Sequence, residues 1–172
     1  MSDRAAAESS IRRRLIRISA QRRALQLAVT RYADDEGRFD LGRWTEAFES
    51  AEPETINHVV EVTGGYQMVV NHLVEALRTG AGLAGLEVGR PPSGPGLIAA
   101  VRDDGGLTRA QAEALTELYR NRNRLQHASP DIQADEVHEQ VELLLRTLPR
   151  LVGSFVAWLS RHDVELVSER DT

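Results

Sequence analysis

The 172-residue sequence contains no cysteine and no lysine, and aromatic residues make up only 5% of it. Without cysteine there is no disulfide framework, no thiolate metal site and no cysteine nucleophile. That usage suits a reducing compartment, so a cytoplasmic location is expected. Without lysine the phosphate-binding loop GxxxxGK followed by Ser or Thr cannot occur, and no GxGxxG opens a helix after a strand-like run. Ser-His-Asp and HExxH patterns are also missing, and neither a metal nor a cofactor is expected. The start of the chain, MSDRAAAESSIRRRLIRIS, lacks the apolar core of a secretory signal. The most apolar later run, LLLRTLPRLVGSFVAWL, is interrupted by Arg146, Pro149 and Arg150, which marks a core helix rather than a membrane span.

What remains is helical. The length is one domain's worth, so residues 1–172 are expected to form a single helical domain with its core at about 10–162. Ile11, Leu15, Ile18, Leu25, Val29 and Tyr32 follow steps of four and three once Arg22 is granted a slot, predicting a helix over about 9–34. A linker with a short helix at 44–48 follows. After Pro53 the same rhythm runs through Ile56, Val59, Thr63, Tyr66, Val70, Leu73 and Leu77. Its Gly64-Gly65 pair costs about 1 kcal/mol per glycine against alanine, which suggests close packing against a neighbour. Residues 79–96, rich in Gly and Pro, read as a flexible loop. A short helix fits 97–102. Thr108 is a good N-cap with Gln111 as its capping-box partner, opening a helix to about 126, before Pro130. A last helix fits 135–162, kinked or divided by Pro149. The expected fold is an all-α up-and-down bundle of four principal helices plus short ones.

All 21 basic residues are arginine, and they are unevenly placed. The first 32 residues carry eight arginines against Asp3 and Glu8, while the remainder is acidic and the whole chain has net charge −5. A basic first helix on an acidic body suits contact with phosphates, an acidic partner or its own domain. The histidines read blandly. His58 and His72 recur in the repeat Asn57-His58-Val59-Val60-Glu61 and Asn71-His72-Leu73-Val74-Glu75, two heptads apart. Fourteen residues of helix span roughly 21 Å, so the two cannot share a metal. His138 reads as part of a solvated face beside Glu136 and Glu139, and His162 as a complement to a helix dipole.

The stretch RNRNRLQHASP at 120–130 is different. On a helical wheel with Leu118 at zero, Leu115, Leu125 and Arg122 lie within about 60°, while Arg120 faces away and Arg124 lies to the side. An inward arginine needs a carboxylate partner or a wet site. His127 follows where the helix ends, and Asn123, one turn earlier, is placed to hydrogen-bond its ring. A guanidinium beside an imidazole suits metal-free RNA cleavage. The imidazole takes the 2′-hydroxyl proton at neutral pH, and the guanidinium steadies charge on the phosphoryl oxygens. Separate base and acid would require two histidines, which a symmetric dimer supplies.

Arg122-Asn123-Arg124-Leu125-Gln126-His127 resembles the Arg-polar-x-x-x-His motif of the HEPN superfamily, and above all that of HepT-like toxins. The likeness extends to the helix from Leu107 through Tyr119, the link from Asp131 to Val137, and a closing helix with Leu148-Pro149. It implies a homodimeric all-α bundle, metal-independent ribonuclease activity on an RNA substrate, and a minimal nucleotidyltransferase antitoxin as partner. Arg122, Asn123 and His127 carry over as site residues, with Arg120 and Arg124 as candidate substrate contacts. The sequence departs at Ser129, which occupies the position of the tyrosine that the partner AMPylates in that family. A non-catalytic HEPN-like module that binds a nucleotide, RNA or protein is the alternative expectation.

Overall fold

The computed structural model describes residues 3–86, 94–127 and 132–166. The helices are α1 (Asp3–Val29), α2 (Leu41–Phe48), α3 (Pro53–Leu83), α4 (Gly94–Asp103), α5 (Arg109–Gln126) and α6 (Ala134–Arg161), with a 3-10 turn at Thr30–Tyr32. Among the described residues there is no strand, only an isolated bridge between Ala33 and Phe39. The protein is an all-α helical bundle.

Side-chain pairings fix the helix directions. Leu25 of α1 lies against Gly65 of α3, and Arg31 pairs with Glu61 at 2.6 Å, so α1 and α3 are antiparallel. At one end of α5, Gln111 Nε2 donates to Ser154 Oγ at 2.9 Å. At the other, Arg124 meets Glu136 at 3.0 Å, so α5 and α6 are antiparallel too. The core is continuous and contains Ile11, Ile18 and Leu25 of α1, Tyr66, Leu73 and Leu77 of α3, Leu115 and Leu118 of α5, and Leu144, Phe155 and Trp158 of α6. Each such side chain contributes about 1.5–3 kcal/mol of burial.

Two buried donors pin helices that apolar packing alone would leave free to slide. Trp44 Nε1 donates to Ala134 O at 2.9 Å, holding α2 on the start of α6, and Tyr66 Oη donates to Leu118 O at 2.7 Å, holding α3 on α5. Burial, with Glu117 adding to it, pushes the Tyr66 phenol well above its ordinary value, so it stays a neutral donor. Tyr66→Phe is expected to cost roughly 1–2 kcal/mol in urea unfolding, the net worth of one buried hydrogen bond. No change in the unfolding midpoint would mean that the bond holds nothing.

Several sequence expectations need correction. α1 begins at Asp3, about two turns early, because Arg4 bonds Glu8 at 3.1 Å and Asp163 O at 2.6 Å, tying the first turn to the end of α6. The loop expected over 79–96 is shorter at both ends. α3 continues to Leu83 because Gly80 and Ala81 are buried; a Cβ on Gly80 would lie 2.8 Å from the Phe155 ring. α4 begins at Gly94; residues 87–93 lie outside the described residues. The Gly64-Gly65 pair is not a site of forced close packing. A Cβ on Gly64 would meet nothing within 4 Å, and one on Gly65 would make ordinary contact with Leu25 at 3.5 Å.

α6 is neither ended nor divided at Pro149. Leu144, Leu148 and Leu151 lock both sides of it into the core, which offsets the roughly 3 kcal/mol that an interior proline costs. By length and composition α6 is also apolar enough to cross a membrane, but its apolar stripe is the bundle core. His138 is buried rather than solvated. It stacks on Phe39 with ring centroids 4.3 Å apart and its Nε2 lies 2.9 Å from Phe39 O.

Candidate functional site: an arginine-lined cleft on α5

The site is set by how α5 begins. Thr108 Oγ1 accepts from the Gln111 amide at 3.2 Å, and Gln111 Oε1 accepts from the Thr108 amide at 2.8 Å. This reciprocal box satisfies amides that would otherwise lack partners and fixes the rotational phase of the helix. Ala112, Leu115 and Leu118 then face the core, and Arg122 is the next position on the same stripe. The wheel therefore places Arg122 correctly: it is half-buried on the packed side.

Arg122 has no carboxylate partner among the described residues. Its Nη1 donates to Asn123 Oδ1 at 2.6 Å, its guanidinium carbon lies 5.9 Å from the Tyr119 ring centroid, and its buried Nε has no hydrogen-bond partner. Together with Arg14 of α1, Asn71, His72, Val74, Glu75 and Arg78 of α3, and Tyr119, it lines a cleft of about 370 Å³. Arg14 is also half-buried, with its Nε unpartnered. Arg78 bonds Glu75 one turn earlier on α3. His72 titrates below its ordinary value, through burial first and then the nearby Arg14 and Arg17, so it is neutral at physiological pH.

The other residues singled out by sequence separate. Asn123 is tied to Arg122 rather than to the His127 ring; what joins Asn123 to His127 is a backbone bond, His127 N to Asn123 O at 3.1 Å. His127 caps α5 with its side chain exposed, and it is not part of the cleft lining. Arg124 pairs with Glu136 of α6 at 3.0 Å, away from the cleft lining. Arg120 is exposed on another face, beside Ile98 and Arg102 of α4. Ser129 lies outside the described residues, as does Asp131 at the start of the link; description resumes at 132.

His72 and Arg14 are the site residues that sequence reasoning missed. The repeat itself gave no hint, because its two copies match except at Val59 and Leu73 and differ mainly in environment. Leu73 and Val74 are buried, whereas Val60 in the first copy is 59% exposed. A signal was available: Asn71, Glu75 and Arg78 are spaced to share one helical face with His72, next to the inward Arg122. Among the described residues no three His, Asp or Glu side chains converge as a metal site. His162 belongs to a separate cluster, its Nε2 lying 2.6 Å from Asp104 Oδ2. Comparison with family models, with curated proteins and with solved structures finds no match to this chain.

Proposed function

We propose that the chain is a HEPN-like, metal-independent endoribonuclease of the HepT toxin type, working as a cytoplasmic homodimer, with a minimal nucleotidyltransferase as its antitoxin. The observation that carries this reading is Arg122: half-buried, unpaired with any described carboxylate, and facing a cation-lined cleft. An arginine kept only for structure would be expected to hold a buried carboxylate. Arg122 instead leaves donor capacity for an external anion, the requirement for steadying phosphoryl charge.

In the proposed reaction His127 takes the proton of a 2′-hydroxyl, whose oxygen bonds the adjacent phosphorus. The bond from phosphorus to the 5′-oxygen breaks, and His127 of the partner subunit protonates that leaving oxygen. A 2′,3′-cyclic phosphate and a 5′-hydroxyl result, with no metal step. Arg122 neutralises the phosphoryl oxygens, and Asn123, bonded to it, orients the guanidinium.

The second reading is a non-catalytic HEPN-like module that binds a nucleotide, RNA or protein. It is favoured by the separation within one protomer of the exposed His127 from the Arg122 cleft. The deciding experiment incubates the purified chain with mixed RNAs in excess EDTA and measures its mass in solution. Cleavage to cyclic-phosphate ends by a dimer supports the ribonuclease. An RNA pool left intact by a properly folded dimer overturns it in favour of the binding module.

A further inference from the structure

We infer that the cleft between α1, α3 and α5 is a phosphate-binding subsite for single-stranded RNA, in which Arg14, Arg78 and Arg122 hold one backbone phosphate and His72 and Asn71 complete its hydrogen bonds. The inference rests on the proposed reading in taking RNA as the source of the phosphate. The site itself does not require that cleavage occurs.

Three helices contribute guanidinium groups to one cleft of about 370 Å³, against a single carboxylate, Glu75. Such convergence of like charge has an electrostatic cost in an unliganded protein and is relieved by an anion. The chain's overall charge of −5 does not produce it, since most of the surplus acid lies elsewhere in the sequence. Among the described residues neither Arg14 nor Arg122 pairs with a carboxylate, and Arg122 bonds only Asn123 through Nη1, so each fork retains donors for a phosphate oxygen. Among the described lining residues Glu75 is the only competitor, and its pair with Arg78 is an i,i+3 contact with both side chains about 40% exposed. Pairs of that kind are worth roughly 0–1 kcal/mol, so a phosphate displaces Glu75 at little cost. His72 adds a neutral imidazole able to donate one hydrogen bond, and Tyr119 adds an aromatic wall on which a base can stack. The groups facing His72 are Arg14 and Arg17 from α1, Glu75 and Arg78 on its own helix, and Tyr119 and Arg122 from α5.

The test measures binding of a fluorescein-labelled single-stranded RNA decamer by anisotropy, using full-length protein whose His127→Ala substitution prevents cleavage. Within that background Arg14→Ala and Arg78→Ala are each expected to weaken binding roughly tenfold or more, as loss of a charge-assisted fork requires. Arg38→Ala, in the segment before α2 where Arg38 pairs with Asp34 and does not line the cleft, is expected to leave binding unchanged. The salt dependence should flatten by about 0.7 in log–log slope for each phosphate contact removed. A second measurement needs no cleft substitution: by NMR, the His72 imidazole should titrate at higher pH with the decamer bound, because phosphate offsets Arg14 and Arg17. Wild-type affinity in both cleft variants together with an unmoved His72 titration overturns the subsite. AMP and inorganic phosphate form separate arms. If either binds as tightly as the decamer with the same arginine dependence, the ligand is a free phosphate compound and the RNA assignment is overturned. Intact arginine-dependent RNA binding with no cleavage by the wild-type chain would refute the ribonuclease and leave the subsite standing.

Discussion

His127→Ala is expected to reduce RNA cleavage roughly 10²–10⁴-fold, the usual loss when a general acid–base group is removed, with RNA affinity and folding close to wild type. The basis is the geometry around the end of α5. His127 is exposed at the C-cap, and substitutions at exposed positions usually change stability by within about 0.5 kcal/mol. The proposed binding groups lie in the Arg122 cleft, which His127 does not line. Arg122→Ala should therefore behave differently, losing both cleavage and affinity. Mixed dimers sharpen the distinction. If one imidazole is the base and its symmetry mate the acid, a dimer with a single His127 is nearly as inactive as one with none. Titrating wild-type chain with excess His127→Ala chain under subunit exchange should then drive activity below the wild-type fraction, toward its square. Activity that falls only in proportion to the wild-type chain present would exclude the two-imidazole mechanism. Full activity of the His127→Ala homodimer would remove His127 from the chemistry altogether.

The parts of this arrangement that were legible in sequence are local. A capping box needs only Thr108 and Gln111 at the right spacing, and once the start of α5 is fixed a wheel decides that Arg122 faces inward and Arg120 does not. The buried stripe of α1 was equally readable, with Arg22 taking a core-facing slot and its stem lying beside Leu148 and Pro149. What was not legible depends on which helix lies beside which. The two five-residue Asn-His repeats match except at Val59 and Leu73, and it is tertiary packing that sends the second into a cleft with Arg14 and Arg122. Gly80 looked like loop punctuation because its reason for being glycine, the Phe155 ring, is 75 residues further along the chain. His138 looked solvated between two glutamates because its partner Phe39 belongs to the distant segment before α2. Asn123 is a subtler case. Spacing allowed it to serve either neighbour, and the side chain goes to Arg122.

The largest loss of stability is expected from Trp158→Ala, roughly 3–5 kcal/mol by urea denaturation, a substantial share of the roughly 5–15 kcal/mol that holds such a domain together. Trp158 is fully buried near the end of α6 and packs on Phe155 with ring centroids 5.9 Å apart. Its indole covers Gly106, where an added Cβ would come within 2.9 Å of the ring, so backbone and side chain are fitted to each other there. Truncation opens a cavity that neither Gly106 nor Phe155 can fill. It also removes the hydrogen bond from Trp158 Nε1 to Asp104 Oδ2, 2.8 Å, the same oxygen that His162 approaches at 2.6 Å. Those two bonds, Trp158's first and His162's second, hold the Asp104 carboxyl below its ordinary range. The unfolded chain therefore binds a proton at Asp104 more readily than the folded one. Asp104's contribution is fully present above the usual carboxylate value and is lost as pH falls through the lower folded value. Trp158→Ala should flatten that acid limb as well as lower the plateau at neutral pH. Asp104→Asn, which leaves the packing intact, should flatten the limb with much the smaller loss at neutral pH. A Trp158→Ala loss below about 1 kcal/mol would mean that the end of α6 repacks around the cavity, contrary to the tight fit at Gly106.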